Sequence, residues 1–212
     1  MRAIRDLKRR GFSVVFYPFL FMDIAHGNSL PDPWTGAIGQ PAYPWRGRIT
    51  CDPAPGQPGS VDQTAAAAAQ VAAFFGNVTR SQISVSVNAA TNVVTTVYSG
   101  PLEWSYRRFI LHYARLCAAI NAIDPGAVDA FLIGSELRGL CAVRGGPAHF
   151  AALTHLKDLA ADAKAILGTG VKISYAADWS DYGGDQSGDG SLFFHLDPLW
   201  ADANIDFVGI DF

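Results

Sequence analysis

Ala130-Phe131-Leu132-Ile133-Gly134-Ser135-Glu136 is a short apolar run that ends in a hydroxyl and a carboxylate. Ala130 to Ile133 show no polar alternation, which fits a parallel strand buried on both faces. An ionisable group directly after such a strand bears a desolvation cost that a purely structural residue does not need. Glu136 is therefore the sharpest candidate for chemistry in the chain, and the competing reading is an ion pair with Arg138 or Arg144.

The segments on either side repeat one pattern. Upstream, Tyr106, Phe109, Ile110, Tyr113, Leu116, Cys117 and Ile120 fall at helical spacing before Asp124-Pro125-Gly126, with Pro101 and Glu103 placed as a first turn. Downstream, Pro147 is expected to open a helix whose inward residues are Phe150, Leu153, Leu156, Ala160, Ala163 and Leu167, closed by Gly168. Val171 to Tyr175 and Ile205 to Ile210 read as further strands. Nearer the start, residues 2–10 read as a helix stopped by Gly11, and Phe12 to Phe16 as the first strand. Helix and strand alternate throughout, which means a parallel sheet with right-handed crossovers, either doubly wound or a barrel. No G-x-G-x-x-G or G-x-x-x-x-G-K motif follows a strand, which favours an α/β fold of the (β/α)8 TIM-barrel type.

Two insertions interrupt the alternation. Residues 24–60 are rich in proline and glycine and form a long loop, and loops of that length in compact domains usually carry function. Ser60 and Gln63 have capping-box spacing before an alanine-rich helix running to Phe75. Ile83, Val85 and Val87 alternate with serines ahead of the β-branched run to Tyr98, so residues 82–98 read as a hairpin.

Composition narrows the partners. With 50% hydrophobic and 17% charged residues and a net charge of -3, the chain must bury a large core and offers no basic surface for nucleic acid. Cys51, Cys117 and Cys141 are too few and too scattered for a disulfide framework or a metal motif. Asp181, Asp185 and Asp189 miss the spacing of a calcium loop, and His149 and His155, read as lying on one helix, do not share a face. Neither metal nor cofactor is expected. No stretch is long and apolar enough for a membrane span, and the charged start of the chain does not read as a signal peptide.

In a barrel the active site lies at the C-terminal ends of the strands. The polar residues there are Asp23 and His26 after the first strand, Ser135 and Glu136 after the second, Asp178 and Trp179 after the third, and Asp211 after the fourth. Carboxylates and aromatics dominate, a set that suits sugar chemistry. Trp34, Tyr43, Trp45, Arg46 and Arg48 in the long loop suggest either a saccharide-stacking lid or rings that pin the loop to the barrel. Local backbone capping is the competing role for Asp23 and His26.

Six segments, Gly11 to Asp23, Tyr43 to Thr50, Glu103 to Ile110, Phe131 to Gly139, Lys172 to Trp179 and Phe194 to Trp200, carry a resemblance. The chain resembles the glycoside-hydrolase TIM-barrel-like domain of the tail-hub, or host-specificity, protein of gene transfer agents and phage-like particles, and more distantly clan A retaining glycosidases. The resemblance implies a single partial barrel over residues 1–212, holding strands three to six, with Glu136 as acid/base. Ser135 stands where clan A has an asparagine, and the nucleophilic glutamate belongs to a seventh strand expected beyond residue 212. The implied substrate or ligand is a cell-surface polysaccharide or peptidoglycan, contacted by Asp23, His26, Trp34, Trp45, Ser135, Asp178, Trp179 and Asp211. Implied partners are other tail or baseplate proteins, with assembly in the bacterial cytoplasm before incorporation into a particle tail. A catalytically inactive structural or receptor-binding hub domain is the alternative.

Overall fold

The structure is a computed structural model that describes residues 1–186 and 190–212. Its strands are β1 (Val15–Phe16), β2 (Ile83–Val87), β3 (Val94–Tyr98), β4 (Ala130–Ser135), β5 (Arg144–Gly146), β6 (His149–Phe150), β7 (Lys172–Asp178), β8 (Asp185–Gln186), β9 (Leu192–Phe193) and β10 (Gly209–Asp211). The α-helices are α1 (Arg2–Arg9), α2 (Ala65–Phe75), α3 (Tyr106–Ile123), α4 (Arg138–Cys141), α5 (Ala151–Leu167) and α6 (Asp197–Trp200). The main sheet has the order β1-β4-β7-β10, and all three pairings are parallel. Sequential strands joined through helices and lying side by side follow from short right-handed crossovers. Among the described residues this sheet is open, with β1 and β10 at its edges.

Every residue of β4 is buried, and β7 is buried from Ile173 to Asp178, as central parallel strands covered on both faces must be. Helices α3 and α5 pack together on one side and contribute Ile110, Leu111, Cys117, Ile120, Leu156 and Leu159 to the core around Phe131, Ile133 and Ile173. The three cysteines are buried and unpaired. Packing is tight at Gly134. A Cβ there would lie 2.2 Å from the hydroxyl oxygen of Tyr106, which donates to Ile133 O.

Helix boundaries differ from the sequence reading in three places, each for a local reason. Thr64, not Ser60, caps α2, accepting from Ala66 N and Ala67 N, while Gln63 lies at φ 66° outside the helix. Ser105 caps α3, and Glu103 instead accepts from Asn77 N at 2.9 Å, tying the end of α2 to the start of α3. Pro147 occupies the turn between β5 and β6, so α5 begins at Ala151. His149 therefore lies on a strand and His155 on a helix, not together on one helix.

The hairpin β2–β3 is antiparallel and packs Ile83 into the core beside α3. Residues 24–60 contain little regular structure beyond a 3-10 turn at Arg46–Arg48 and a bridge from Pro31 to Ile38. No helix among the described residues is long and apolar enough to cross a membrane.

Candidate active site

The C-terminal ends of the four parallel strands point to one side of the sheet and bring Tyr17, Ser135, Glu136, Asp178 and Asp211 to it. The pairing of β4 with β7 carries an irregularity. Leu132 faces Ser174 and Ser135 faces Ala176, so β4 has one extra residue there. Such a bulge bends a strand and re-aims the side chain that follows. Directly after it Glu136 sits at φ 47°, in the left-handed region that a side chain with a Cβ enters at a cost. Two hydrogen bonds hold this turn. Glu136 N donates to Ala176 O at 2.8 Å, and Leu137 N donates to the hydroxyl of the fully buried Tyr175 at 2.7 Å.

Arg46, from the long loop, is the hub of the site. It is 8% exposed, and its Nε donates to Ser135 Oγ at 2.9 Å and Ser135 O at 3.2 Å. Its Nη2 lies 2.7 Å from Glu136 Oε2, 3.4 Å from Asp211 Oδ2 and 2.9 Å from the Tyr17 hydroxyl. The ring of Phe19 lies 4.1 Å from the guanidinium carbon. A planar cation with a fork of donors suits this task, because it can satisfy two carboxylates and two hydroxyls at once. Tyr17 completes the network by donating to Asp211 Oδ2 at 2.8 Å and contacting the Ser135 hydroxyl. Burial, and then the hydrogen bond with Asp211, push the Tyr17 phenol well above its ordinary pKa, so it stays a donor at neutral pH.

Glu136 thus forms its ion pair with Arg46. Arg138 and Arg144, the partners considered from sequence, are engaged elsewhere: Arg138 lies 3.7 Å from Asp181, and Arg144 lies 2.8 Å from Asp62. Trp45 reaches the same carboxylate, its Nε1 donating to Glu136 Oε2 at 2.7 Å. Gly47 permits this ring position, since a Cβ there would fall 2.4 Å from the indole. Among the described residues Oε1 of Glu136 makes no hydrogen bond.

The other sequence candidates fall into three groups. Asp211 joins the Arg46 network, and Ser135 is buried with its hydroxyl turned to Tyr17 and Arg46. Asp178, buried next to Asp211 in the sheet register, caps the following turn by accepting from Ser180 N, and Trp179 stands exposed beyond it. Trp34 lies in the loop with its Nε1 on Arg48 O, while Asp23 and His26 are exposed and form no contact with Glu136 among the described residues. Tyr17 went unread in the sequence although it is the first polar residue after the first strand. Arg46 could be seen only as one of two loop arginines.

A second cluster joins the buried Asp181 and His195 to the half-exposed Arg138. Asp181 Oδ1 lies 3.7 Å from Arg138 Nε and 3.8 Å from His195 Nε2, and among the described residues Asp181 Oδ2 and both ring nitrogens of His195 have no hydrogen-bond partner. Burial raises the Asp181 carboxyl to about 6 and lowers the His195 imidazole. Among the described residues no three histidine, cysteine or acidic side chains are placed to hold a metal ion. Asp189, weighed above as part of a calcium loop, lies outside the described residues.

A family model described as the GTA TIM-barrel-like domain matches residues 104–212, just over half of the chain. The match spans α3 to β10 and so includes Glu136, Asp178 and Asp211, while Tyr17, Trp45 and Arg46 precede it. No curated protein matches the chain.

Proposed function

This chain belongs to the GTA TIM-barrel-like domain family, and from that premise we propose that it is a glycan-directed module of a gene transfer agent or related phage-like tail, with Glu136 as acid/base of a retaining glycoside hydrolase. The observation that supports this reading is the placement of Glu136 after the bulge of central strand β4, with the Trp45 indole against it and Asp211 joined to it through Arg46. In such a reaction the acid gives its proton to the leaving glycosidic oxygen and later takes one from the attacking water. Oε1, free of donors among the described residues, is the oxygen for that transfer. Trp45, Trp34 and Trp179 offer ring faces to sugars, and Asp23, His26, Ser135, Asp178 and Asp211 are assigned to the substrate-facing rim and its support. The module would be assembled in the bacterial cytoplasm and carried with other tail or baseplate proteins to a cell-surface polysaccharide or peptidoglycan.

The test compares the full-length protein with its Glu136→Gln variant on a panel of cell-surface polysaccharides and peptidoglycan fragments. Loss of general acid catalysis should lower turnover by about 10² to 10⁴ with binding retained, and activated substrates with good leaving groups should be hurt least. A second reading, a barrel that grips glycan or receptor without cleaving it, draws on the two donors that already occupy Oε2. It takes over if the wild-type protein binds members of the panel and hydrolyses none.

A further inference from the structure

A cleft of about 510 Å³ opens beside Glu136, lined chiefly by Trp34, Trp45, Arg48, Arg138, Arg144 and Asp185. Trp45 joins the two places, since its Nε1 holds the carboxylate and its ring forms a wall of the cleft. Three arginines line this space, yet they are not equivalent. Arg48 is paired with Asp32 at 2.9 Å, and Arg144 is held by Asp62 through Nε and Nη2 at 3.1 and 2.8 Å. Their charges are spoken for. Arg138 is different: among the described residues its one ion pair runs from Nε to Asp181 at the long distance of 3.7 Å, and its side chain is 47% exposed. Its two terminal nitrogens form no hydrogen bond among the described residues, so the part of the guanidinium that best grips a planar anion remains available.

Aromatic rings beside a free guanidinium define a ligand with two features, an apolar face of C–H groups to stack and a carboxylate to pair. Taking the glycan-directed reading as its premise, we infer that the cleft is selective for glycans whose sugars carry a carboxylate, with Arg138 as the residue that recognises that group. The sugar ring lies on Trp45 or Trp34, and its carboxylate accepts two parallel N–H bonds from Arg138. Asp185, also in the lining, repels a second negative charge and limits the preference to a carboxylate aligned with Arg138.

The experiment measures binding of a uronic-acid polysaccharide and of the same polymer after chemical reduction of its carboxyls to alcohols, using the full-length protein. The wild type should bind the acidic polymer at least tenfold more tightly, with the difference shrinking in high salt. Arg138→Gln should abolish that difference, chiefly by weakening binding of the acidic polymer. Trp45→Ala should weaken both polymers alike. Equal wild-type affinity for the two polymers overturns the selectivity and leaves the glycan reading standing. Binding of neither polymer, nor of any other glycan in a neutral and acidic panel, overturns the glycan reading and this inference with it.

Discussion

A single nitrogen of Arg46 links Glu136 to Asp211, lying 2.7 Å from one carboxylate and 3.4 Å from the other. The two acids come from strands separated by β7, so a residue of the irregular loop, not of the sheet, fixes their relation. The loop is therefore a structural part of the site as well as its cover.

Replacing Arg46 with methionine should destabilise the protein by about 3 kcal/mol, the lower end of the range for breaking a buried ion pair, because Glu136 and Asp211 keep partial access to solvent. Arg46→Lys should recover little of this, since one ammonium cannot reach Ser135, Tyr17 and both carboxylates together. Urea unfolding of the two variants provides the comparison, and a lysine variant as stable as the wild type would count against the hub role.

Tyr175→Phe removes one oxygen from a fully buried side chain and leaves Leu137 N without its 2.7 Å acceptor. An orphaned buried donor costs about 1 to 3 kcal/mol. The same bond pins the turn that presents Glu136, so turnover should fall with little change in KM. An unchanged unfolding midpoint together with unchanged turnover would show that the turn is held by other means.

At Gly139 an added Cβ would lie 2.6 Å from Gly47 O, 2.8 Å from Ile49 O and 3.1 Å from the Trp34 ring. None of the first two contacts can yield without moving the loop backbone. Gly139→Ala should cost about 1 to 3 kcal/mol and lift the loop, with a shift in tryptophan emission as Trp34 and Trp45 change surroundings. Emission identical to the wild type would mean that α4, rather than the loop, absorbs the strain.

Asp181 gives a pH-dependent test. Its folded carboxyl titrates near 6 against an ordinary 3.8, chiefly through burial, so the native state binds the proton more tightly than the unfolded chain does. Its contribution to stability is full below about pH 4 and lost as pH rises through 6. Asp181→Asn should therefore gain on the wild type across that interval and hold a constant advantage above it, at most about 3 kcal/mol. Thermal unfolding of both proteins from pH 4 to 8 reads the difference. A gap that does not widen with pH would assign the carboxyl a partner that compensates its burial.

The parallel sheet was legible because its signal is local: Ala130 to Ile133 is wholly apolar, Val171, Ile173 and Tyr175 alternate with Lys172 and Ser174, and each run is separated from the next strand by a helix. Helix starts were not, since Ser60, Pro101 and Pro147 are good starting residues whose backbone was claimed by turns and neighbouring segments. Glu136 could be picked out from its position after an apolar strand, whereas its partner could not. Arg46 lies 90 residues away in a segment without periodicity, and only the folded loop places it nearer than Arg138 or Arg144. The bulge in β4 leaves no mark in composition at all.

The positive φ at Glu136 also makes this position a record of use. Glycine would occupy the same backbone without the roughly 1 to 2 kcal/mol that a Cβ costs there, and Arg46 would still keep Asp211 as a counterion. A lineage that no longer needs the carboxylate would thus be free to drift toward glycine or asparagine at position 136, while one that depends on it must keep paying in conformational strain. Sequencing natural variants at this one codon would separate working barrels from silent ones before any substrate is known.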